Sequence, residues 1–153
     1  MLGYKVVRQV NDGWCSASVP NVCAVSYPME GLAEPKIGRL FAFLRREDAR
    51  LFALKEGAYV FRAELWSPVL TIVYGLNDCL GNVKGDDRLR EFWRSPADYP
   101  EKNKALTMRL PEGTVCCAGV TLLADPISLM ERDVTLEVRK VPAAIGERKE
   151  ERN

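Results

Sequence analysis

Apolar and polar residues alternate with period two along most of the chain, and only two stretches carry the longer period of a helix. Tyr4 to Val10 is rich in β-branched residues, groups Lys5 with Val7 and Gln9 on one side, and predicts a first strand. Asn11-Asp12-Gly13 is a turn signal, because these residues tolerate positive φ, and Trp14 to Val19 returns as a second strand. Pro20 and Asn21 break that strand, and Val22 to Tyr27 predicts a short edge strand. Pro28 to Gly38 holds Pro28, Pro35, Gly31 and Gly38, the composition of a loop that covers or frames a site.

Arg39 to Leu44 is a short apolar strand, and Arg45 to Lys55 is the best helix of the chain. Glu47 and Asp48 fall in its first turn, where carboxylates suit the dipole, and Gly57 is a natural stop. Leu51 and Phe52, with Ala49 nearby, are the expected buried stripe of that helix, facing Phe61. Ala58 to Leu65 alternates, with Tyr59, Phe61, Ala63 and Leu65 on one face and Val60, Arg62 and Glu64 on the other. Further strands are expected at Val69 to Tyr74 and Leu106 to Leu110, with a loop at Gly75 to Gly85 and a weaker helix at Asp86 to Arg94. Thr114 to Ala124 is apolar on both faces, which predicts one central strand, and Val134 to Val141 is a last alternating strand. Short turns between strands favour antiparallel pairing. The expected fold is α+β: a curved, mainly antiparallel sheet or partial barrel with one main helix packed on one face. Residues 1–142 form one domain, and 143–153 a charged, disordered tail.

Composition narrows the chemistry. The 153 residues are 47% apolar and 28% charged, which is globular rather than disordered. Lys and Arg number 22 and Asp and Glu 21, a net charge of +1, so no global field draws nucleic acid. Histidine is absent, which removes Ser-His-Asp and Cys-His sites and His-ligated metals. The five cysteines, Cys15, Cys23, Cys79, Cys116 and Cys117, contain no C-x-x-C pair. Cys116 and Cys117 would point to opposite faces of a strand, so no metal site is expected. Gly81 to Gly85 lacks the spacing of a phosphate loop, and no dinucleotide fingerprint occurs, so no cofactor is expected. The opening residues lack a signal-peptide core and no run is long enough to span a membrane, which together predict a cytoplasmic protein.

Two groups of residues remain as candidates. Arg62 and Glu64 share a strand face, and with Arg8 and Ser16 they either line a pocket or form a solvent-facing ion pair. Trp14, Tyr27, Trp66, Trp93 and Arg94 sit at strand ends or in loops, and form a candidate recognition surface or cap a small core. The residues thus point to a non-enzymatic binding or accessory protein acting on a protein or small molecule, with edge pairing into a homodimer as a further expectation.

Leu40-Phe-Ala-Phe-Leu-Arg-Arg-Glu-Asp-Ala-Arg-Leu-Phe-Ala-Leu-Lys-Glu-Gly-Ala-Tyr-Val-Phe-Arg-Ala-Glu-Leu65 resembles a strand–helix–strand unit of many small proteins of phages and mobile gene cassettes. With Gly3-Tyr-Lys-Val-Val-Arg8 it also resembles the first half of ADP-ribosyltransferase-like domains. In those, an early strand carries Arg or His, the next a Ser and a later one a Glu. The resemblance implies an NAD site built from Arg8, Ser16 or Ser18, and Glu64 or Glu137. The chain has neither a Ser-Thr-Ser run nor a Glu-x-Glu pair, so no catalytic residue is assigned.

Overall fold

The computed structural model describes residues 1–17, 24–72, 74–76 and 85–130. The expected strand at Val134 to Val141, the tail, and most of the Gly75–Gly85 loop lie outside them. β1 (Leu2–Val10) turns through Asn11, at φ 52°, into β2 (Gly13–Ser16), and the two pair antiparallel from Val10↔Gly13 to Val7↔Ser16. Then come β3 (Leu32–Ala33), β4 (Leu40–Phe43), α1 (Arg46–Glu56) and β5 (Tyr59–Trp66). β6 (Tyr74–Leu76), α2 (Gly85–Arg94) and the single turn α3 (Tyr99–Lys102) follow. β7 (Thr107–Arg109), β8 (Thr114–Cys117) and β9 (Gly119–Ile127) complete the described chain.

The main sheet runs β3-β9-β5-β1-β4-β8 with every strand pair antiparallel, and β6 and β7 form a separate ribbon. The class is α+β, with a curved, open, mainly antiparallel sheet and a helix packed against it. The run expected to be one central strand is divided at Ala118. β8 pairs with β4 at one end of the strand order, while β9 pairs with β5 and β3 at the other. A single continuous stretch serves both ends, which requires the sheet to curl. That explains why the run is apolar on both faces: Val115, Cys116, Cys117, Val120 and Leu122 are all buried.

β1 carries the feature that positions the cavity. Its Val7 pairs with both Tyr59 and Ser16, and its Tyr4 with both Arg62 and Phe43. β2 and β4 therefore share the edge of β1 opposite β5, β4 at its start and β2 at its end. They diverge around Lys5 and Val6, leaving a fork in the sheet.

Two apolar clusters fill the two faces. Val7, Tyr27, Leu40, Phe61, Ala63, Leu65 and Leu122 belong to the one inside the curl. Val6, Phe43, Ala49, Ala53, Ala58 and Val60 form the other, beneath α1. The helix face differs from expectation. Ala49 and Ala53, one turn apart, are fully buried, Phe52 is half-buried and Leu51 is 55% exposed. Its partner on β5 is Val60, because Phe61 points to the opposite face. Small residues win the contact because they let the helix backbone approach the sheet. The stop is as expected: Gly57 adopts the left-handed conformation at φ 62° and ψ 40°.

Candidate functional site

The fork opens into a cavity of about 380 Å³. Lys5 and Val6 of β1 and Ser16 of β2 line one side, and Leu40, Phe41 and Phe43 of β4 line another. Phe52 and Glu56 of α1, Leu89 and Trp93 of α2, and Gly75 and Met108 of the small ribbon close it over. Tyr27 and Val25, from the segment between β2 and β3, complete the wall.

Trp93 packs in this roof against Phe41 and Gly38. Its indole lies 6.0 Å from the Phe41 ring centroid at a tilt of 33°. Gly38, at φ 71°, packs so closely beneath it that any Cβ there would run into the indole. Phe92, the next residue on α2, is 1% exposed and meets Tyr99 edge-on at 5.5 Å, which ties α2 to α3.

The polar groups of the cavity are few and unevenly satisfied. Ser16 Oγ accepts a hydrogen bond from the Val25 amide at 3.1 Å, so its hydroxyl braces the wall rather than standing free. Arg39 lines the cavity, but its guanidinium donates to the Ser67 carbonyl at 2.8 Å on the exposed side. The Tyr27 hydroxyl is buried and has no hydrogen-bond partner among the described residues. Lys5 is 6% exposed. Its Nζ donates to the carbonyl of Phe41 and stands 5.2 Å from the centroid of the Tyr27 ring. Among the described residues no carboxylate forms an ion pair with it. A buried ammonium has three donors and carries a large desolvation cost unless it is compensated. Here one carbonyl and one aromatic face supply the compensation.

The sequence candidates do not gather at this site. Ser16 lines the cavity, whereas Arg8, Arg62 and Glu64 do not. Arg8 pairs with Cys15 and Val7 with Ser16, so Arg8 and Ser16 lie on opposite faces. Glu64 is opposite Leu2, six residues from Arg8, a separation of about 20 Å along a strand. Arg62 is exposed and Glu64 half-buried. Ser18 and Glu137 lie outside the described residues.

The aromatic candidates are likewise spread over the molecule. Tyr27 and Trp93 both line the cavity. Trp14 is half-buried with its ring 4.9 Å from Phe61 and 5.1 Å from Tyr59, part of the core edge. Trp66, at the far end of β5, donates to Thr121 Oγ1 at 3.3 Å, and Arg94 is exposed at the end of α2.

Neither vicinal cysteine is poised as a nucleophile. Burial, and secondarily its neighbour Cys117, pushes the Cys116 thiol up to about 12, and burial also raises Cys117. A thiol held protonated does not attack. Among the described residues no three acidic or cysteine side chains gather as a metal site, and no helix is long and apolar enough to cross a membrane.

Lys5 is the residue that sequence reasoning missed. Its signal was present, since it stands in the same alternating row as the buried Gly3 and Val7 of the opening strand. A lysine in an inward row has to meet either a partner or a cavity. Comparison with protein-family models, with curated proteins and with solved structures found no match.

Proposed function

We propose that the chain is a binding protein for a small organic molecule, held in the cavity at the fork of β1, β2 and β4. The buried Lys5, facing an aromatic-lined void and in no ion pair with a carboxylate among the described residues, carries this reading. The volume lies at the small end of the ~300–1,000 Å³ range of ligand pockets, and an apolar wall with a few convergent polar groups is their usual make-up. Binding rather than catalysis is favoured because, among the described residues, the cavity offers no activated nucleophile. Ser16 is engaged with backbone, and Cys116 is buried and protonated.

Amide NMR of the uniformly labelled protein against a library of small aromatic and aliphatic fragments tests this. Hits are expected to shift the amides of Lys5, Phe41 and Gly75 and the Trp93 indole N–H together. Hits that shift only exposed strands, such as Leu32 or Tyr74, would contradict it.

A further inference from the structure

Resting on the reading of the cavity as a binding site, we propose that its ligand is an aromatic monocarboxylate whose carboxylate pairs with Lys5 Nζ. The charge arrangement selects an anion. Lys5 uses one of its three donors on the Phe41 carbonyl and leaves two without a partner among the described residues. The Tyr27 ring lies against the same ammonium and supplies no counter-charge. An incoming carboxylate accepts from the ammonium and supplies the missing counter-charge in a setting where charge-assisted hydrogen bonds are strongest.

The count of cations selects a single negative charge. Lys36 is exposed, Arg39 is directed to Ser67, and Glu56 lines the same cavity with the opposite sign. A dianion would bring a second charge with no buried cation to meet it and a carboxylate to oppose it. The wall selects the body of the ligand. Phe41 and Phe43 from β4, Phe52 from α1 and Trp93 from α2 line the void, and aromatic rings favour a planar aromatic partner.

Three probes with one ring system separate the possibilities: 2-naphthoate, 2-naphthalenemethanol and 2-naphthyl phosphate, each titrated calorimetrically at neutral pH. Wild-type protein is expected to bind the carboxylate about tenfold more tightly than the neutral alcohol, and more tightly than the phosphate. In Lys5→Met the preference of carboxylate over alcohol is expected to fall below about twofold while alcohol binding persists, which also shows the variant folded. Arg62→Gln, a charge change outside the cavity, is expected to leave all three affinities unchanged. Alcohol bound as tightly as carboxylate, phosphate bound best, or a preference that survives in Lys5→Met overturns the ligand class and leaves the cavity reading standing. Failure of all three probes to bind folded wild-type protein overturns the cavity reading itself.

Discussion

Burial decides what individual side chains can do, and the vicinal cysteines show it most plainly. The Cys116 thiol ionises near 12 instead of 9.0, so the folded state disfavours its thiolate. A folded value above the unfolded one stabilises the fold fully below the unfolded value, and that contribution is lost as pH rises through the window from about 9 to about 12. Urea denaturation is therefore expected to show wild type losing more stability than Cys116→Ala between about pH 8 and about pH 10.5. Parallel losses would place the thiol's titration elsewhere. The same scale governs the ADP-ribosyltransferase resemblance. Arg8 and Ser16 occupy opposite faces, and Glu64 lies on β5 across from the far end of β1, so they share no pocket. A ligand at a hundred times its Kd adds about 2.7 kcal/mol of stability. Millimolar NAD is accordingly expected to leave Tm unchanged, and a clear upward shift would contradict this placement. The residues of this site were only half legible. Tyr27 stood out as an aromatic at the end of an expected edge strand, Trp93 as one in a weakly expected helix, and Ser16 as a polar residue of the expected second strand. That they share a cavity depends on where β2 and β4 part, which no local pattern records.

At the scale of elements, the ends of α1 were readable and its face was not. The first-turn acids Glu47 and Asp48 and the left-handed Gly57 bound the helix as the sequence pattern predicts. Apolar side chains surround the helix, however, with Leu51 and Leu54 outward and Ala49 and Ala53 inward. Periodicity ranks large residues above small ones, while the packing here depends on the closest backbone approach. Ala53→Leu is expected to overpack the contact with Val60 and cost about 1–3 kcal/mol. Leu51→Ala should stay within about 0.5 kcal/mol. Phe52→Ala should fall below the ~3–5 kcal/mol of a fully buried Phe, since its ring is only half-buried, 5.4 Å from that of Phe43. Denaturant midpoints of the three variants check the order, and a Leu51→Ala loss exceeding that of Ala53→Leu would reverse the assigned face. Arg50 is less peripheral than its polar character suggests. It pairs with Glu47 at 2.6 Å and donates to the Leu129 carbonyl at 3.2 Å, so it ties α1 to the chain beyond β9. On the other side of the cavity, Gly38 sets the position of α2. Gly38→Ala would both strain a left-handed backbone and displace the Trp93 indole. The Trp93 indole N–H resonance is expected to move, and one unchanged from wild type would show that the roof does not depend on that contact.

Across the whole molecule, alternation and short turns gave the antiparallel class, whereas the strand expected at Val69 to Tyr74 holds, among the described residues, only an isolated bridge at Val69 and the first residue of β6. Alternation did not give the curl. Thr114 to Ile127 runs past both ends of the strand order, and a residue buried on either face looks the same in sequence whether its strand is central or bent between two neighbours. The free edges are modest: β3 is two residues long, and the outer side of β8 is bridged at Cys116 by Val69. The proposed ligand site is the fork left by this topology, against Lys5, the one buried cationic residue among the described residues. Intermolecular nuclear Overhauser effects between 2-naphthoate and the labelled protein test that placement directly. Contacts are expected from the naphthyl protons to Trp93, Phe41 and Leu40, all of which line the cavity. Contacts confined to exposed apolar residues such as Met29, Leu32 and Trp66 would contradict it.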